Sequence, residues 1–184
     1  MTKIYKGYDF EVDAVGEVLL AMFNWLLEKH PSGIYLYRPV KKQDGSAYAM
    51  KFHRVLAGLT VLEHGVVVDN DPKLLVDHID GNTRNNQLSN LRICTKQQNT
   101  WHHIHLSRRN TSGCTGVSLT RTHKKWEASI AVNRKKIHLG NFENYQDAVD
   151  CYMREAPKYH GEYCSEFPIR VGDTITYAKL RNGE

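Results

Sequence analysis

Residues 74–106 constrain the fold of this 184-residue chain more than any other stretch. Leu74-Leu75-Val76-Asp77-His78-Ile79 is an apolar run of strand length. Asp80-Gly81-Asn82 then predicts a tight turn, because Gly and Asn tolerate positive φ. Thr83 to Asn90 is polar, aperiodic and Asn-rich. Its side chains compete for backbone groups and so favour a loop. Leu91 to Cys94 predicts a second short strand. Thr95-Lys96-Gln97-Gln98 has the capping-box form, with Thr at the N-cap and Gln three residues on, and predicts a helix from Lys96 to about Leu106. The order is strand, loop, strand, helix: a ββα unit that sets Asp77 and His78 at a strand end.

The rest of the chain gives weaker signals. Residues 1–13 predict an irregular or extended lead-in. Val15, Val18, Leu19, Met22, Phe23, Leu26 and Leu27 recur at 3–4 spacing and predict a helix over 14–30, closed by Pro31-Ser32-Gly33. Ile34 to Arg38 and Ala47 to Phe52 predict strands around a turn at Lys41–Gly45, and His53 to Leu62 predicts a helix. Arg108 to Gly116 has linker composition. Three strands are expected beyond it, at 117–121, 126–133 and 136–139, then a helix from Asn144 to Ala156 stopped by Pro157. Residues 164–184 form a polar tail with a strand candidate at 174–177. The fold class is α+β: a unit over 1–107 with its ββα core at 74–106, and a smaller βββα unit over 113–163.

Composition matters through its distribution. The net charge is +5, but the 41 residues from His102 to Phe142 hold eight Lys/Arg and a single acid, Glu127. That window is +7 and the remainder is near −2. A basic segment on a neutral frame is the electrostatic footprint of a nucleic-acid binder. No apolar run reaches the roughly 18–20 residues of a membrane span, and the N-terminus has no secretory pattern. Cys94, Cys114, Cys151 and Cys164 form no C-x-x-C pair, which argues against a zinc ribbon or a disulfide framework and for reduced, buried thiols. A cytoplasmic protein (host cytoplasm if phage-encoded) is expected.

The polar residues of the ββα unit suit phosphodiester hydrolysis. A base must activate water, and His titrates near neutrality. A carboxylate with an amide oxygen can hold a hard cation and leave room for water and phosphate. The elements D-H-I-D-G-N at 77–82, N-L at 90–91 and Q-N at 98–99 resemble HNH endonucleases of the phage homing type, with the ββα-metal fold. Phe52-His53-Arg54-Val55-Leu56-Ala57 is similar to the His-Arg segment that precedes the motif in such domains. The resemblance implies His78 as general base, Asn90 as the residue that holds the loop and orients it, and Asp77 with Asn99 as ligands of a divalent ion, Mg2+ or Mn2+. Arg84, Arg92 and His103 are candidate phosphate contacts.

The basic unit resembles an AP2-type DNA-binding domain through Gly116-Val117, Lys125-Trp126-Glu127-Ala128, His138-Leu139-Gly140-Asn141-Phe142, Asp147-Ala148-Val149 and Lys158-Tyr159-His160-Gly161. The resemblance implies a three-stranded sheet in the major groove, backed by a helix. Candidate DNA contacts are Arg121, Lys124, Lys125, Arg134, Lys135, Lys136 and His138. Ser118, Thr120, Ser129 and Ala131 depart from the base-reading residues of plant members, so no target sequence carries over. The expectation is a monomeric, metal-dependent endonuclease acting on double-stranded DNA, with no membrane or protein partner. The alternative is a sequence-specific DNA-binding regulator whose nuclease part is inactive.

Overall fold

A computed structural model of the chain describes residues 1–42, 44–63, 66–102, 106, 110–122, 124–164, 166–171 and 174–179. For 62, 63, 66, 166–171 and 174–179 it describes the backbone alone. The chain divides into two compact units, Met1–Lys96 and Gln97–Glu184.

In the first unit, β1 (Thr2–Tyr5) and β2 (Tyr8–Glu11) pair antiparallel. Their two-residue turn, Lys6-Gly7, holds both residues at positive φ, as the tightest hairpins require. The expected lead-in is thus a hairpin. Asp13 caps α1 (Ala14–Met22) by accepting from Gly16 N at 3.0 Å. The helix expected over 14–30 ends here, because Phe23 turns extended and Leu26 and Leu27 enter β3 (Leu26–His30). Val15, Val18 and Met22 are more than half exposed, at 53%, 57% and 63%. Trp25 explains the break. Its fully buried ring meets Phe23 and Phe52 edge-on, with centroids at 6.1 and 5.0 Å, and its Nε1 donates to Leu19 O. Burying a ring of this size removes about 150–250 Å² from water, roughly 4–6 kcal/mol.

Strand β3 joins β4 (Gly33–Lys41) and β5 (Ala47–Lys51) in an antiparallel sheet of order β3-β4-β5. Helix α2 is short, Phe52–Leu56, where a helix to Leu62 was expected. Gly58 at φ +73° ends the helical path, and the chain turns into β6 (Thr60–Glu63), paired with β7 (Val66–Asp69). Phe10, Val12, Trp25, Leu36, Met50 and Phe52 form the center of the core. The hairpin β8 (Leu74–His78) and β9 (Leu91–Thr95) follows, with Asp77 opposite Arg92 and His78 opposite Leu91. Helix α3 (Lys96–Trp101) stops short of the expected Leu106, and His103–His105 lie outside the described residues.

In the second unit, β10 (Val117–Leu119), β11 (Trp126–Val132) and β12 (Lys135–Phe142) form an antiparallel sheet in that order. Helix α4 (Tyr145–His160) packs Ala148, Val149, Tyr152 and Ala156 into a core with Val117, Ala128 and Ile130. Gly116 sits at φ +74° where a Cβ would strike the Tyr152 ring, so only Gly lets the strand start this close to the helix. Pro157, expected to stop α4, lies inside it. Continued burial of Ala156 and His160 outweighs the one backbone donor that proline removes. The expected tail contains a backbone hairpin of β13 (Glu166–Val171) and β14 (Thr174–Lys179). All four cysteines are free and buried. Among the described residues, no helix is long and apolar enough to cross a membrane.

Candidate active site

The site is built on the β8–β9 hairpin and the loop between its strands. Asp77 and His78 end β8, both buried. Gly81, at φ +70°, closes the turn by donating its N–H to His78 O at 2.8 Å. Asn90, in a 3-10 turn at Leu88–Asn90, locks the loop. Its Oδ1 accepts from Asp80 N at 3.0 Å. Its Nδ2 donates to Asp80 Oδ1 at 2.9 Å and to Asn85 O at 2.8 Å. Its carbonyl accepts from Ile79 N at 2.9 Å, just beyond His78. Every polar atom of that side chain is therefore spent on the backbone geometry around the His.

The loop is stitched to the rest of its unit. Thr83 Oγ1 donates to Ile34 O and accepts from Ile34 N, both at 3.0 Å. Gly33, at φ +145°, makes this possible, since a Cβ there would collide with Thr83 Oγ1. Asn86 N donates to Glu11 O at 2.7 Å, Glu11 N to Arg84 O at 2.9 Å, and Leu88 N to Asp13 Oδ2 at 3.0 Å. Upstream, the buried Arg54 pairs with Asp69 and donates to Leu74 O at 2.6 Å and Asp71 O at 3.1 Å. It thereby fixes the entry into β8.

His78 is held in one orientation. Its Nε2–H donates to Oδ1 of the buried Asn86 at 3.3 Å, while Asn86 Nδ2 points to Thr83 O at 3.4 Å. This amide orientation puts the ring proton on Nε2 and leaves the lone pair on Nδ1. Burial pushes the His78 pKa below its usual 6.5, opposed by the Asn86 bond and by Asp80 and Asp77. The ring is therefore neutral at pH 7 and able to accept a proton. His53 packs edge-on against it, with centroids at 5.4 Å, and Tyr35 lies 6.4 Å away. Burial, then the neighbouring His78, Lys51 and Arg54, pull the His53 pKa down to about 3.

Asp77 Oδ2 accepts from Arg92 Nε at 2.9 Å and forms an ion pair with Arg92 Nη2 at 2.7 Å, so Arg92, a candidate phosphate contact, is engaged by Asp77. Arg84 is half-buried in the loop. Asn99 lies on α3 in the second unit, and His103 is outside the described residues. Among the described residues, no three His, Cys, Asp or Glu side chains converge on a metal-sized point. The Asp77 carboxylate is a hard oxygen donor of the kind that Mg2+ takes, one or two carboxylates with the shell completed by water and phosphate. Asn86 was not singled out from the sequence, because a buried amide inside an Asn-rich loop has no distinguishing local pattern. His53 stands out in the sequence only as part of its segment.

In the second unit, Arg121 and Lys124 lie in the β10–β11 connection, Lys125 just ahead of β11, Arg134 in the β11–β12 turn, and Lys135, Lys136 and His138 on β12. Asn133 and Arg134 both have positive φ, at 51° and 63°, so Val132 and Lys135 close a two-residue hairpin. Arg121, Lys124, Arg134, Lys135, Lys136 and His138 are exposed. Lys125 pairs with Glu143 and Lys136 with Glu127, each at 2.7 Å.

A family model described as HNH endonuclease matches residues 51–100, a span that holds His53, Asp77, His78, Asn86, Asn90 and Asn99. An uncharacterized HNH endonuclease of Acanthamoeba polyphaga mimivirus is 29% identical over 147 residues, 80% of this chain and 68% of that protein. Protein 3.8 of Escherichia phage T7 is 30% identical over 88 residues, 48% of this chain and 71% of that protein. The chain belongs to the HNH endonuclease family. No solved structure matches it. As an HNH endonuclease, the protein is a DNA-cleaving hydrolase. The matched span of this HNH endonuclease coincides with the hairpin, its loop and the Arg54 brace.

Proposed function

We propose that the chain is a metal-dependent endonuclease of the homing type, in which His78 is the general base and the second unit is an AP2-like domain that positions the cut. The observation that carries this reading is His78 itself: a buried, neutral imidazole at a strand end, its Nε2 tethered to Asn86, beside the carboxylate of Asp77. In this reading Nδ1 takes a proton from water as the water oxygen attacks phosphorus in line. The P–O3′ bond breaks and the electron pair leaves on the 3′ oxygen, which is then protonated. Asp77 would hold a divalent cation, probed as Mg2+ or Mn2+. When bound, it would offset charge on the phosphate and on the leaving oxygen. Asn90 and Asn86 are positioning residues, one for the loop and one for the ring. Arg84 and His103 remain candidates for contact with neighbouring phosphates. Arg92 would first have to exchange its pairing with Asp77.

The placement role rests on the sheet β10–β12, which is backed on one side by α4 and carries Lys136 and His138 exposed on its surface. Its ends carry Arg121, Lys124, Lys125, Arg134 and Lys135. The exposed ion pair Lys125–Glu143 is worth about 0–1 kcal/mol, so Lys125 is readily exchanged onto a phosphate. Nicking of supercoiled plasmid by the purified chain, with Mg2+ against EDTA, tests the reading. Cleavage that needs the metal is expected. Duplex binding without cleavage under either condition would favour the regulator instead.

A further inference from the structure

Glu127 is the single acid in the 41-residue basic window, and it stands in the middle of that window's sheet. Its place is defined by register: Ser118 on β10 is opposite Glu127 on β11, which is opposite Asn141 on β12. The neighbouring rows pair Ser129 with His138 and Ala131 with Lys136. A carboxylate here is unfavourable for simple phosphate binding, since it repels the backbone that the surrounding cations attract. It is nonetheless held with care. Lys136 Nζ and His138 Nδ1 both reach the same oxygen, Oε1, at 2.7 and 3.3 Å. Among the described residues, Oε2 carries no hydrogen bond. The residues around it are Ser118, Ser129 and Ala131, all small, and Asn141, and the Glu127 side chain keeps 20% of its surface exposed.

We infer that Glu127 is a specificity-determining residue that reads a cytosine in the major groove, its free Oε2 accepting from the N4 amino group while Lys136 and His138 fix Oε1. This rests on the reading of the second unit as the DNA-placing domain. The chemistry follows from the groove code. An ionised carboxylate only accepts, and among major-groove edges the cytosine amino group is the donor that carboxylates pair with. The Lys136 contact and the flanking His138 keep the carboxyl pKa below its ordinary value, although slight burial pulls the other way. The group is then an acceptor throughout the neutral range.

The test is selection of duplexes from a randomised pool by the full-length chain in EDTA, which keeps the DNA uncut, for wild type, Glu127→Gln and Glu143→Gln. The wild-type motif should contain a position preferring cytosine. Glu127→Gln should lose about tenfold or more of the discrimination at that position and keep the remaining positions. It should also bind non-specific duplex more tightly, since a negative charge has gone. Glu143→Gln, which removes an exposed acid away from the row, should leave the motif intact. An identical motif for wild type and Glu127→Gln would overturn the inference while leaving the placing role standing. Failure of the wild-type chain to bind duplex DNA at all would overturn the placing role itself, and this inference with it.

Discussion

His53 makes the first unit sensitive to acid, and the effect can be worked from its environment. The imidazole packs against the rings of Tyr35 and His78, with centroids at 5.6 and 5.4 Å, and its pKa is pulled from 6.5 to about 3. In the unfolded chain the group takes a proton near pH 6.5. A depressed folded pKa means that the stabilisation is fully present above pH 6.5 and is lost as pH falls toward 3. Linkage gives about 2 kcal/mol lost by pH 5 and about 3 kcal/mol by pH 4 from this one group. The pH 5 figure is set almost wholly by the unfolded value, because at pH 5 the folded group is still unprotonated. That is a sizeable part of a total stability of about 5–15 kcal/mol. Replacing His53 with Phe keeps an aromatic ring against Tyr35 and removes the titration. Urea melts at pH 7.5 and 5.0, following the transition that exposes Trp25, should show the variant losing about 2 kcal/mol less than wild type over that interval. The carboxylates contribute equally to both proteins and cancel in the comparison. Equal losses in the two proteins would refute the burial argument for His53.

Three further outcomes follow from particular contacts. Arg54→Ala leaves the Asp69 carboxylate buried without its cation and frees the carbonyls of Asp71 and Leu74; unfolding free energy should fall by about 3–5 kcal/mol, and a loss below about 1 kcal/mol in urea melts would contradict the brace. Arg134→Gly relieves a side chain held at φ +63°, so the second unit should gain about 1 kcal/mol while duplex affinity drops. Thermal melts and binding titrations would then move in opposite directions, and a stability loss would be the contrary result. Lys135→Gln with Lys136→Gln should reduce the slope of log affinity against log salt by about one unit per phosphate contact removed, and an unchanged slope would take this strip away from the DNA.

The hairpin was legible because its signals are local. An apolar run, a Gly-containing turn, a second run and a capping box need no tertiary partner to be read, and β8, β9 and the start of α3 fall where those signals lie. The 14–30 segment was not legible, because 3–4 spacing of apolar residues continues through Phe23 and Leu26 while the backbone does not. The burial of Trp25 decides that break, and it is a long-range event involving Phe52 and Tyr5. Pro157 misled for the converse reason: a local breaker was overridden by packing of Ala156 and His160. Within the site, the residue types of Asp77, His78 and Asn90 stood out in the sequence. The partner that sets the His78 tautomer did not, because Asn86 is chosen by the fold of the loop. The engagement of Asp77 by Arg92 likewise depends on strand register, which pairs those two positions across the hairpin.

Single-turnover cleavage tests whether His78 activates the attacking water. Full-length wild type and His78→Ala would be compared at saturating enzyme with Mg2+, with duplex binding measured in parallel in EDTA. General-base catalysis is worth about 10²–10⁴-fold, so His78→Ala should cleave at least about a hundredfold more slowly while binding DNA as wild type does. A variant that binds normally and cuts at the wild-type rate would rule out His78 as the base.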